Sequence, residues 1–250
     1  MIVDGGGFFG ESFDTGERII APLMLTRRIK TIDFFVITHP EVDHTGGLQY
    51  IIDNFSVGEL WITRDALERD QTAPIIDRAR RLAIPITVID AGNATQEICG
   101  VYFDFINPPA GYSRISLRKL NDKSLVFRAR YGLFSLLMTG DIEGAGMEAC
   151  LYSGKELSAT ILKTPHHGGE VARRDYKAFL NAVSPDADII SCGYRNPGGF
   201  PKEKTMKLFG ELKIKTWRTD LDGAIIIKTN GRRVELETMN GEKKRWALLK

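Results

Sequence analysis

Four side chains able to bind a metal fall within six residues of this chain: His39, Glu41, Asp43 and His44, in His39-Pro40-Glu41-Val42-Asp43-His44. Imidazole and carboxylate are the donors that hold zinc, manganese or iron. Donors at alternating positions of an extended segment point the same way. His39, Glu41 and Asp43 are therefore expected to converge, with His44 joining as the backbone turns at Gly46-Gly47, where glycine permits the turn. The plainer reading is a polar loop with exposed side chains. Two further segments weigh against it. Asp141 ends an apolar run (Phe134, Leu136, Leu137, Met138), where a carboxylate can bridge two cations; alternatively it caps a helix over 143–151. His166 and His167 follow another apolar run and precede Gly168-Gly169. The chain has four histidines, in two tight groups that each follow a strand-like segment, and scattered surface histidines would not fall this way.

The elements that must position these groups are legible from periodicity. Residues 33–37 (DFFVI) form a continuous apolar run, as in a buried strand, and lead straight into His39. A helix is expected from Leu48 through Phe55, and a strand at 59–62. Thr72 is expected to cap a helix with Pro74 in its first turn and Ile75, Ile76, Ala79, Leu82 and Ala83 on its apolar face. Strands are expected at 86–90 and, by alternation, at 98–106. A hairpin joins 124–130 to 133–139 across Tyr131-Gly132. A helix over 143–151, a strand at 159–163, a helix near 174–183, a strand at 187–191 and a helix at 201–211 follow. Strands at 214–218, 223–229 and 232–238 close the series. Two packed sheets with helices outside satisfy this α/β (or α+β) pattern.

Loops 107–120 and 193–201 are rich in Gly, Pro, Asn and Arg, and long irregular loops often carry function. Arg114, Arg118 and Lys119 precede Asn121, and Arg173 and Arg174 follow the histidine pair. If these loops face the site they hold phosphates; otherwise they are a solvated charged surface.

A hydrophobic content of 43%, a charged content of 26% and a net charge of +2 are those of an ordinary globular chain, and do not by themselves indicate nucleic acid. Cys99, Cys150 and Cys192 make no disulfide framework and no CxxC motif, and are expected to be small buried residues. No apolar run approaches the roughly 18 residues of a membrane span. Met1-Ile2-Val3-Asp4 runs directly into glycines and reads as a strand end with its turn, so the chain is expected to be a piece of something longer.

The HxExDHTGG, TGD and PHHGG segments resemble the metallo-β-lactamase superfamily, and within it the hydrolase-like domain of the ComEC competence proteins. The similarity extends to Phe13-Asp14-Thr15-Gly16-Glu17-Arg18, Asn121-Asp122-Lys123-Ser124-Leu125-Val126, Ser191-Cys192-Gly193, Asn196 and Thr219-Asp220-Leu221-Asp222-Gly223-Ala224-Ile225, roughly residues 2–228 in all. The resemblance implies a four-layer αββα sandwich, one hydrolase domain over 1–250, with two divalent cations, manganese or zinc, and no organic cofactor. It implies His39 and Glu41 at the first cation, Asp43 and His44 at the second, Asp141 bridging, and His166 or His167 as a further ligand, with catalytic weight on Asp43, Asp141 and His167. Asn121 or Asp122 falls near where relatives place another histidine, and Asn121, Asp122, Arg114, Arg118, Arg173 and Asn196 are implied substrate contacts.

Departures from the family pattern are Glu41 for the usual histidine, Gly169 for serine, and Phe200 where a histidine is common. The hairpin that normally precedes the Ile2-Val3-Asp4 strand is absent from the sequence, so the first sheet is expected to be incomplete. The implied activity is a phosphodiesterase or nuclease acting on DNA, mainly single-stranded, during competence-linked uptake. The carboxylates at 41, 43 and 141 favour manganese more than an all-histidine set would. The implied setting is the extracytoplasmic face of the inner membrane, beside a membrane channel of the same protein; a free-standing chain would be cytoplasmic. A hydrolase of small esters or phosphoesters, and a non-catalytic DNA-guiding domain with a degenerate metal site, are the alternatives.

Overall fold

A computed structural model describes residues 1–7, 13–111 and 117–248. They form two compact units, 1–90 and 91–250. Arg114 lies outside the described residues.

The first unit is a four-stranded parallel sheet in the order β1 (Ile2–Val3), β2 (Thr31–Ile37), β3 (Ser56–Ile62), β4 (Ile86–Val88). A turn of π-helix at Gly16–Ile20 runs into α1 (Ala21–Thr26). α2 (Val42–Thr45) and α3 (Leu48–Asn54) follow β2, and α4 (Arg64–Leu67) and α5 (Ala73–Arg81) follow β3. Apolar residues spaced three and four apart put Leu48, Ile51 and Ile52 of α3 and Ile75, Ile76 and Ala79 of α5 into one core with Phe35, Ile37, Leu60 and Ile62 of the sheet. Thr72 stands at the N-cap of α5, but its hydroxyl does not cap the helix. It donates instead to the carbonyl oxygens of Ala66 and Arg69, which fixes the preceding turn.

The second unit carries a seven-stranded mixed sheet in the order β11-β10-β9-β8-β7-β6-β5. Its strands are β5 (Gln96–Ile98), β6 (Val101–Asn107), β7 (Val126–Tyr131), β8 (Phe134–Met138), β9 (Ile161–Lys163), β10 (Ala187–Ile190) and β11 (Thr216–Arg218). The expected single strand over 98–106 is two. Cys99 (φ 52°) and Gly100 (φ 80°) form a tight turn with both central residues left-handed, which joins β5 to β6 as a hairpin. Cys99 is consequently exposed, against the expectation that all three cysteines are buried. β8 to β11 run parallel. Helices α6 (Gly144–Tyr152), α7 (Arg173–Val183) and α8 (Glu203–Glu211) connect them and share a core with the sheet through Met147, Phe179, Leu180, Leu208 and Phe209. After the short α9 (Thr219–Asp222), strands β12 (Ile225–Thr229), β13 (Arg233–Thr238) and β14 (Lys243–Ala247) form a second, antiparallel sheet. Val234 and Leu236 of that sheet pack with Phe134, Ile161, Ala187 and Trp217.

In both units the parallel strands end on chemistry-bearing residues. β1 ends on Asp4 and β2 on Thr38-His39; β8 leads to Asp141, β9 to His166-His167, β10 to Ser191 and β11 to Thr219. The carboxyl ends of parallel strands are where open α/β sheets bind ligands. Among the described residues no helix is long and apolar enough to cross a membrane.

Candidate functional site

The first unit gathers the 39–44 residues around one buried pair. His39 and His44 are almost fully buried, and their rings meet edge to face with centroids 4.7 Å apart. The extended backbone stops at Glu41 (ψ 155°). Asp43 and His44 sit on the single helical turn of α2, so the expected alternation through Asp43 does not occur. Glu41 is the outer member: its carboxylate is 3.8 Å from His39 Nε2 and its side chain is 45% exposed. Gly46 (φ −59°) and Gly47 (φ −88°) have ordinary helical dihedrals, so the turn does not need glycine for its torsions. Space is the reason. A Cβ on Gly47 would lie 2.4 Å from the Gly16 nitrogen, and one on Gly7 would lie 1.8 Å from the Val42 carbonyl oxygen.

Behind His44 stands Asp4, a residue that spacing alone does not single out. His44 Nδ1 lies 2.8 Å from Asp4 Oδ2. Thr38 donates its N–H to Asp4 Oδ1 (2.8 Å) and its hydroxyl to Asp4 Oδ2 (2.6 Å). A carboxylate only accepts, so His44 donates from Nδ1, and this bond orients its ring.

The second unit builds its group from three strand ends. Asp141 is fully buried, and its N–H donates to Ser124 Oγ (3.0 Å). Its Oδ2 lies 3.3 Å from His167 Nε2 and 3.9 Å from His166 Nε2. His167 Nδ1 is 2.5 Å from the Ser191 carbonyl oxygen, which can only accept. Nδ1 therefore donates here too, which orients the ring so that its Nε2 faces Asp141 Oδ2. His166 (φ 46°) and His167 (φ 52°) are both left-handed, as is Asp4 (φ 57°) in the other unit. Each such residue costs of order 1 kcal/mol, and strain of this kind clusters at functional sites.

Other groups crowd this half-site. Glu143 Oε1 accepts from Asn121 Nδ2 (3.1 Å) and lies 3.5 Å from His166 Nδ1. Lys163 Nζ donates to the Gly140 carbonyl oxygen (2.9 Å) and lies 3.4 Å from Asp141 Oδ1. One strand away, Asp188 is fully buried; burial pushes its carboxyl up to about 8, while the Thr164 hydroxyl donating to its Oδ2 (2.6 Å) pulls the other way. Burial likewise pushes the Cys192 thiol up to about 12. Phe200 lies against both histidines, with centroid distances of 5.3 Å to His166 and 5.9 Å to His167.

The remaining expected contacts fall as follows. Asn121 reaches the site, 3.5 Å from His166 Nε2. Asp122 is buried and turned to α6: its Oδ1 accepts the N–H groups of Glu143 and Gly146, so it caps the helix that Asp141 was the alternative to cap. Arg118 is exposed, and Arg173 pairs with Glu211 on α8. Asn196 closes its own loop, donating to the carbonyls of Gly193 and Phe200 and accepting the Phe200 N–H. Sequence reasoning missed Asp4, Glu143 and Lys163. The available signal was position: Asp4 and Lys163 stand at strand ends beside recognised motifs.

Donor chemistry in each group fits a divalent cation: imidazole with carboxylate, with His44 and His167 oriented through Nδ1. Residues 13–194 of the chain match the Metallo-beta-lactamase superfamily. The chain is 26% identical to ComE operon protein 3 of Bacillus subtilis over 235 residues, 90% of this chain and 29% of that protein. It is 32% identical to Competence protein ComA of Neisseria gonorrhoeae over 222 residues, 85% of this chain and 28% of that one. Recombination protein 2 of Haemophilus influenzae is 24% identical over 95% of this chain and 28% of its own length. The chain thus spans under a third of the length of these relatives.

Proposed function

The chain belongs to the metallo-beta-lactamase superfamily of metal-dependent hydrolases, and we propose that it is a phosphodiesterase that cleaves DNA as one part of a longer competence protein. The observation that carries the reading is the convergence of both histidines on one buried carboxylate, with Asp141 Oδ2 3.3 Å from His167 Nε2 and 3.9 Å from His166 Nε2. In the first unit His39, Asp43 and His44 would hold a cation, with Glu41 as an outer ligand; in the second, Asp141, His166 and His167 would hold one. Carboxylate-rich donors favour manganese, and zinc is the alternative. Divalent cations, when bound, supply Lewis-acid charge stabilisation and acidify water near neutral pH.

The chain's own residues supply the rest. The Asp4 carboxylate and the Ser191 carbonyl accept from Nδ1 of His44 and His167 and orient the two rings. Ser124 holds the Asp141 backbone, and Glu143 places a carboxylate 3.5 Å from His166 Nδ1. Arg118, exposed on the segment before Asn121, attracts the phosphates of single-stranded DNA. The name of the Neisseria relative, Competence protein ComA, supports a role in competence, and the site would then work on the extracytoplasmic face beside the membrane channel of the same protein.

The purified chain is to be given single-stranded DNA, bis-nitrophenyl phosphate and a β-lactam, with manganese, with zinc and with a chelator. Manganese-dependent cleavage of DNA, lost with chelator and in His44→Ala, is expected. Turnover of the β-lactam without DNA cleavage would sink the reading. Phe200 against both histidines favours one second reading, a DNA-guiding domain with a weakened site. Metal bound with no turnover of any of the three substrates would select it.

A further inference from the structure

Lys163 is a cation placed where a metal hydrolase needs its carboxylate. It ends β9, three residues before His166, and its side chain is only 14% exposed. Lysines almost never stand this deep unless paired. Its ammonium donates to the Gly140 carbonyl oxygen (2.9 Å) and lies 3.4 Å from Asp141 Oδ1. The two oxygens of Asp141 are thereby sorted: Oδ1 faces the ammonium and Oδ2 faces His167 and His166. Lys163 also acts on the charge of Asp188, one strand away, but the carboxylate its ammonium touches is that of Asp141.

We propose that the Lys163 ammonium is a tethered competitor for Asp141, so that a divalent cation binds this half-site more weakly than its donor set alone would allow. The inference rests on the metal reading given above. Its physical basis is Coulombic. A fixed positive charge a few ångströms from a doubly charged ion, in a mostly buried setting, changes affinity by at least about tenfold. A lysine that only balanced the buried carboxylate would make the same contacts. The two roles differ in sign: loss of a competitor tightens the cation, whereas loss of a positioning partner loosens it.

The test is calorimetric titration of the full chain with manganese, with bound ion counted independently by electron paramagnetic resonance. Wild type is compared with Lys163→Met, Lys163→Gln and Lys163→Arg. The neutral variants are expected to bind manganese at least about tenfold more tightly, and the arginine variant to stay within about twofold of wild type. Glutamine serves if the methionine variant does not fold. Manganese bound by all proteins, with the neutral variants no tighter than wild type, overturns the role of Lys163 alone. Manganese bound by none of them overturns the metal reading, and this inference with it.

Discussion

The two candidate groups, one in each unit, use the same residue types, imidazole and carboxylate, and are built in opposite ways. The first takes its donors from residues 39–44, on a strand end and one helical turn, and draws in one distant group, Asp4, as support. The second takes its donors from the ends of β8 and β9 and its support from the end of β10, so its geometry depends on strand order. Their supports differ in charge as well. His44 leans on a carboxylate, and His167 leans on a neutral backbone carbonyl. A carboxylate raises the basicity of its histidine and can be removed by mutation. A carbonyl is indifferent to the side chain that carries it. The first half-site is therefore compact in sequence and vulnerable at its support. The second is dispersed in sequence and vulnerable at its donors.

The strongest test of that asymmetry is Asp141→Asn. It neutralises the buried carboxylate whose Oδ2 faces both His166 and His167. Manganese-dependent DNA cleavage is expected to fall by more than the roughly 10–100-fold that losing a supporting residue costs. Residual activity near wild type would remove Asp141 from the centre. Asp4→Asn follows, with an expected loss of roughly 10–100-fold in metal affinity. Asparagine tolerates the left-handed backbone of Asp4 but has one acceptor oxygen, whereas Asp4 uses both, on Thr38 and His44. Ser191→Ala should leave affinity unchanged, because the carbonyl that holds His167 remains. Equal losses at Asp4 and Ser191 would erase the distinction between the two supports.

The same asymmetry decides what the sequence could tell. The 39–44 donors were legible because they are adjacent, and the apolar run at 33–37 announced their strand. The hairpin of β7 and β8 and helices α6 to α8 were legible from periodicity, and so was the α/β class. The roles of Asp4, Lys163 and Ser191 were not, because each acts on a residue 22 to 40 positions away, through strand neighbours that no local pattern specifies. Turn chemistry misled at Cys99-Gly100, where no Asn-Gly marks the hairpin. Gly46 and Gly47 were noticed for the wrong property: the chain there needs small volume, not left-handed torsions. β14 was invisible because Lys243, Lys244 and Arg245 hide a strand that pairs with β13.

A smaller effect sharpens the second half-site. The Asp188 carboxyl loses its proton near 3.8 when unfolded and near about 8 when folded, because burial disfavours its charge. Between those values the native state binds the extra proton, so stability falls as pH rises from about 4 to about 8. The span corresponds to a few kcal/mol in order of magnitude. Asp188→Asn keeps an acceptor for the Thr164 hydroxyl and cannot ionise. Its melting temperature is expected to lose this downward slope with pH. A wild-type chain with no such slope would mean that Asp188 ionises freely.

The smallest effect concerns a residue that resemblance offers as a substrate contact and the fold employs otherwise. Asp122 Oδ1 accepts the N–H groups of Glu143 and Gly146 at 2.9 and 2.8 Å, two of the groups that the start of α6 leaves unsatisfied. The helix has no cap from its own N-cap side chain. Losing such a cap costs about 1 kcal/mol, within a range of roughly 0.5–2. Asp122→Ala should therefore lower stability by about that amount in a denaturant titration, while manganese affinity moves little. Asp122→Asn, with one acceptor oxygen still available, should recover most of the loss. A cap and a ligand separate cleanly here. Had Asp122 been a cation ligand, alanine would weaken manganese binding far more than it weakens the fold, and asparagine would rescue neither.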